Sequence, residues 1–62
     1  MSDADLEKEV RRIVDANPDH AAELKAGKET VLMWFVGGVM KATEGRANPE
    51  KVKELVKKLV GV

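Results

Sequence analysis

The sequence predicts an all-α fold: one domain, built as a small bundle of three main helices plus one short connecting helix. Three observations lead there. Apolar residues recur at three- and four-residue intervals through most of the 62 residues, which is the spacing of a helix face. Two Asn-Pro pairs, Asn17-Pro18 and Asn48-Pro49, supply helix starts, because Asn can cap free amides and Pro suits the first helical position. No segment carries the period-two alternation of a half-buried strand.

The first helix is expected over about residues 3–16. Ser2 or Asp3 is placed to cap it, and acids crowd its first turn, where the helix dipole favours them. Leu6, Val10, Ile13 and Val14 form one apolar stripe. Asn17-Pro18 ends this helix, since a residue before proline avoids the α region, and the same pair starts the next, with Asn17 as its cap. The short helix runs over about 18–26, and Gly27 stops it. The third helix spans about 28–44. Its stripe of Val31, Leu32, Phe35, Val36, Val39 and Met40, with Met33 and Trp34 alongside, is broad enough for two partners, so this helix is central. Gly45 is its expected stop. The fourth helix spans about 49–60, with Val52, Leu55, Val56 and Leu59 on one face.

Composition narrows the function classes. A chain of 62 residues supports a single modest core, and with no cysteine its stability rests on helix packing. One histidine and scattered carboxylates give no metal-ligand pattern, so no metal and no cofactor are expected. The longest apolar run, from Val31 to Met40, is broken by Gly37 and Gly38 and is too short for a bilayer, so no membrane partner is expected. The acidic N-terminus does not read as a signal peptide, and a cytoplasmic location is the expectation. Enzyme chemistry finds no support: there is one serine, Ser2 at the terminus, no cysteine, and no phosphate-binding loop. No catalytic residue is assigned. The formal net charge is zero but unevenly spread, with −4 over residues 1–23 and +4 over residues 24–62. That division suits an acidic first helix pairing with the rest, or a basic face on the C-terminal two thirds.

Three constellations stand out. Gly37 and Gly38 each cost about 1 kcal/mol relative to alanine in a helix interior. Close approach of another helix, with Gly38 and Ala42 one turn apart, would offset that, and so would a smooth surface for a partner or an RNA backbone. Met33 and Trp34 come second. Trp34 lies off the centre of its helix stripe and is expected at the edge of the core; exposed, it would serve as a protein anchor or a stacking platform for a base. Lys25, Lys28, Lys41 and Arg46 come third. Lys25 and Lys28 flank Gly27 at the opening of the third helix, a position suited to a phosphate, with Lys41 and Arg46 about 20 Å away at its other end. His20 reads as a surface histidine. A DNA-binding helix-turn-helix is disfavoured, because the fourth helix alternates Lys with Glu and lacks base-reading side chains, so no DNA partner is expected.

The order of these residues adds a resemblance. Asn17-Pro18, Lys25-Ala26-Gly27-Lys28-Glu29, Val36-Gly37, Val39-Met40-Lys41-Ala42-Thr43, Gly45 and Ala47-Asn48-Pro49 fall in the pattern of the C-terminal tail domain of the GatB/YqeY family. This is the family of the aspartyl/glutamyl-tRNA(Asn/Gln) amidotransferase B subunit. The resemblance implies a helical, non-catalytic module that contacts tRNA for a glutamine-dependent amidotransferase, a carbon–nitrogen ligase whose active sites lie elsewhere. Its partners would be tRNA and the remainder of the amidotransferase. Lys25, Lys28, Lys41 and Arg46 would meet phosphates or sugars. The chain departs from the pattern at Thr30 and Glu44, where lysine is common in the family, at Gly38, and at Met33-Trp34. These departures fit an excised, altered or designed version. They keep open an alternative: a structural or protein-interaction module without RNA affinity, in which Met33 and Trp34 face a protein partner.

Overall fold

Four helices form in the expected order: α1 (Asp3–Ala16), α2 (Pro18–Lys25), α3 (Glu29–Ala42) and α4 (Pro49–Val60). The computed structural model describes residues 2–62. Local chemistry accounts for the boundaries. Ser2 caps α1, its Oγ accepting from the Asp5 amide at 3.2 Å. Asn48 caps α4, its Oδ1 accepting from the Glu50 amide at 2.9 Å, and Pro49 follows at the first helical position. Asn17 corrects one expectation. Its side chain does not cap α2; Nδ2 instead donates to the Ile13 carbonyl at 2.8 Å and closes the end of α1. The Ile13 carbonyl at the end of α1 thus gains a donor, while the first amides of α2 forgo a side-chain acceptor.

The core lies where α1, α3 and α4 meet, with α2 laid against α3. Phe35, Val10, Val39, Val52 and Val56 are fully buried, and Leu6, Val14, Val31, Leu32 and Val36 surround them. Each such side chain contributes about 1.5–3 kcal/mol by leaving water. Leu24 holds α2 to this core and Ala47 fills the α3–α4 corner; both are buried, and neither belongs to a repeating stripe. Ile13, Met40, Leu55 and Leu59 are partly buried at its margin. Buried Thr43 satisfies its hydroxyl locally, donating to the Val39 carbonyl one turn back at 2.9 Å. No buried side-chain nitrogen or oxygen among the described residues lacks a partner.

The acidic α1 reaches the basic part of the chain through an ion pair from Lys51 to Asp3 at 3.2 Å, with both ends exposed. Exposed pairs contribute little, so apolar packing assembles the bundle. Two more pairs, Arg11–Glu7 and Arg12–Glu9, stay within α1. No helix among the described residues is long and apolar enough to cross a membrane.

Candidate nucleic-acid interface

The backbone places the lysines through two turns of one design. At the end of α2, the Lys28 amide donates to the Glu23 carbonyl at 3.1 Å and the Gly27 amide to Leu24 at 3.0 Å. This is the paired hydrogen bonding of a Schellman turn, with Gly27 at the left-handed position, φ +109°. It swings the chain directly into α3 and puts Lys25 and Lys28 on either side of the corner. Their roles then diverge. Lys28 Nζ lies 3.3 Å from Glu23 Oε2, so its charge is met within the domain. Lys25 makes no ion pair among the described residues and turns toward α4.

There it joins two lysines that the sequence does not single out. Lys25, Lys53 and Lys57 line a groove of about 550 Å³ whose floor includes Leu24, Leu32, Met33 and Val62. Lys53 and Lys57 stand one turn apart on α4, so both face the same way. Glu29 is the acid among the lining residues, which leaves a net positive groove. The signal available in the sequence is the four-residue spacing of Lys53 and Lys57, hidden by the Lys–Glu alternation around it. Gly61, at φ +91°, ends α4 in the left-handed conformation ahead of Val62.

At the opposite end of α3 the other two expected contacts part. Lys41 is exposed on the helix surface and makes no ion pair among the described residues. Arg46 lines a separate depression of about 410 Å³ with Asp5, Lys8 and Glu9, beside the acidic start of α1. The four residues expected to meet RNA therefore do not form one continuous face.

Trp34 also departs from expectation. It is 46% exposed and Met33 55%, so neither belongs to the core. The reason is angular: the α3 stripe turns Phe35 and Val39 inward, which leaves residues 33 and 34 outside. Trp34 is nonetheless ordered by its neighbours. Its ring stacks on His20 at a centroid distance of 4.1 Å and an interplanar angle of 10°, and lies T-shaped to Phe35 at 5.3 Å. His20, read from the sequence as a surface histidine, is the lower half of an aromatic stack.

The helix-packing role expected of Gly37 and Gly38 is corrected as well. A Cβ at Gly37 would meet nothing within 4 Å, and one at Gly38 would touch only Ile13 Cγ2 at 4.0 Å. No neighbouring backbone needs the space. No group of three or more His, Cys, Asp or Glu side chains gathers in metal-binding geometry among the described residues.

Comparison with known proteins bears on this arrangement. The chain matches the family model described as the GatB domain over residues 1–60. It is 53% identical over 57 residues to the B subunit of the aspartyl/glutamyl-tRNA(Asn/Gln) amidotransferase of Rhizobium etli (strain CIAT 652), a match covering 92% of this chain and 11% of that protein. The proteins of the same name from Rhizobium leguminosarum bv. trifolii (strain WSM2304) and Brucella canis (strain ATCC 23365 / NCTC 10854 / RM-666) match with the same identity and coverage. The chain thus spans about 11% of the length of the curated relatives it matches. No solved structure matches it. With the family model covering residues 1–60, and with more than half of the aligned residues identical, the chain belongs to the GatB domain family.

Proposed function

We propose that this domain contacts tRNA on behalf of a tRNA-dependent amidotransferase and performs no catalysis itself. The observation that carries the reading is the convergence of Lys25, Lys53 and Lys57, from two helices, on one groove, with no ion-pair partner for any of them among the described residues. Family membership supports it, since the relatives are named for action on tRNA(Asn/Gln). Ammonium groups bind phosphates as point charges, so these contacts position an RNA without reading its sequence, and discrimination falls to RNA shape. Lys41 adds a phosphate contact beyond the groove. Lys28, paired with Glu23, contributes less, and Arg46 lies apart from the groove in a depression that it shares with Asp5, Lys8 and Glu9. The remaining partner is the rest of the amidotransferase, with both at work in the cytoplasm.

The test is a titration of labelled tRNA at about 50 and 200 mM salt, the range over which phosphate contacts reveal themselves. Binding that weakens with salt, and weakens further when Lys25, Lys53 and Lys57 are changed to alanine, supports the reading. Absence of binding at low salt by a domain that still melts cooperatively rejects it.

A second reading rests on the exposure of Met33 and Trp34. There the domain is an interaction module, natural or designed on this scaffold, without RNA affinity. Sedimentation equilibrium separates the two. Association that depends on Trp34, together with no tRNA binding, favours the module.

A further inference from the structure

Gly37 lies in open space and a Cβ at Gly38 would meet only the Ile13 side chain at ordinary contact distance, so close helix packing does not explain the pair. Its position relative to Trp34 does. Side chains on a helix lean toward its N-terminus, so a residue at 37 or 38 would cover the turn that carries Trp34. Glycine at both positions leaves that turn bare. The indole rests one face on His20, at 4.1 Å and 10°, no other ring stacks on it among the described residues, and the residue is still 46% exposed, which gives a planar ligand access to it. Lys41 continues the same strip two turns beyond Trp34, about 10 Å along the axis, and its stem leans back over the glycines. It is exposed and makes no ion pair among the described residues.

From these observations we infer that Trp34, backed by His20 and uncovered by Gly37 and Gly38, is a stacking platform for one unpaired nucleobase, with Lys41 holding the adjoining phosphate. The inference rests on the tRNA reading above and names a contact within it. Size and charge select this occupant. The strip offers one indole face and two glycines, with Met33 as its other large apolar side chain, whereas a stable dimer takes about 800 Å² from each partner. The whole described surface is 4165 Å², so a second copy would need roughly a fifth of it, far more than this patch. A base needs only the ring face, and an unpaired ammonium beside it suits the phosphate.

Trp34 is the only tryptophan, so its emission reports on the platform directly. Two probes are titrated: tRNA, and a short single-stranded oligoadenylate. Stacking predicts that both quench Trp34 emission. Trp34→Ala should weaken binding about tenfold, and Trp34→Phe should recover part of the loss. Gly37→Ala gives the decisive contrast: it should raise the melting temperature by about 7 °C and still weaken RNA binding. Lys41→Ala should lower the slope of log affinity against log salt by about 1. Full tRNA affinity in Trp34→Ala, with parent emission unchanged by tRNA, overturns the platform and leaves the tRNA reading standing. No tRNA binding, with emission still quenched by oligoadenylate, rejects the tRNA reading and keeps the platform. Emission that responds to neither RNA, or that changes with protein concentration alone, overturns the platform in favour of no ligand or of a second copy.

Discussion

The two corners that flank α3 are closed by the same pair of hydrogen bonds but hold different residues at the left-handed position. At the α2–α3 corner it is Gly27, at φ +109°. At the α3–α4 corner the Gly45 amide donates to Met40 at 2.8 Å and the Glu44 amide to Lys41 at 3.2 Å, which puts Glu44 at the left-handed position with φ +55°. Gly45, the stop expected from sequence, follows at φ +76°. A φ of +55° lies within the small left-handed well that side chains tolerate at a cost; +109° lies outside it and is glycine territory. The corner beside the lysine groove is thus held by the one residue that fits, and the corner beside Lys41 carries a side chain under strain. Glu44 also places a carboxylate near Lys41 and Arg46 in the chain, where the family resemblance implies lysine.

The largest expected effect follows from the first corner. Gly27→Val forces a β-branched residue to positive φ and should remove about 2 kcal/mol of stability, lowering the melting temperature by about 15 °C in thermal denaturation. If that variant melts like the parent, the corners are equivalent and the contrast between them fails. Next comes function at the same corner: the Lys25→Ala, Lys53→Ala, Lys57→Ala triple variant should lose at least about tenfold in tRNA affinity at low salt and flatten the salt slope. Circular dichroism of that variant should remain that of the parent, because none of the three ammonium groups has an ion-pair partner among the described residues.

Glu44→Gly addresses the second corner. Relief of the left-handed side chain should stabilise the domain by about 1 kcal/mol in urea denaturation, and a loss of stability would contradict the strain assigned to Glu44. Glu44→Lys keeps the strain but reverses the charge, so it should strengthen tRNA binding at low salt without raising stability. The smallest effect belongs to Lys28→Ala. Its pair with Glu23 is exposed on both sides, so the change should be about 0.3 kcal/mol. Because that ammonium is already met by Glu23, its removal should alter tRNA affinity less than removal of Lys25.

Local chemistry makes the helices readable. Ser2, Pro18, Gly27, Asn48 and Pro49 act on amides and carbonyls within a few residues of themselves, so α1 and α4 begin and end where the sequence predicts. The apolar stripes of α1, α3 and α4 repeat at helical spacing, and they supply most of the core. Leu24 and Ala47 carry no such mark because neither repeats; each is buried by the way a corner folds onto α3. Helix α3 ends at Ala42, two residues before the expected 44, and Glu44 offers no local cue that it adopts a left-handed conformation.

The candidate site is legible only in part. Lys25, Lys28, Lys41 and Arg46 are visible as charges, but sequence does not say which charges a fold neutralises. Lys28 meets Glu23, five residues earlier, because a turn brings them together, and Arg46 shares a depression with the start of α1, some forty residues away, without an ion pair among the described residues. Lys53 and Lys57 gain meaning only when α4 lies beside Lys25. Whether Trp34 packs inward, and whether Gly37 and Gly38 make room for a neighbour, depend on where α1 and α2 sit around α3. Sequence determined the four helices, because caps, prolines and glycines act through the nearest backbone bonds and apolar periodicity marks the inward face. Tertiary structure decided the groove, the aromatic stack and the bare glycine strip, because each depends on distances between residues that only the packing of helices brings together.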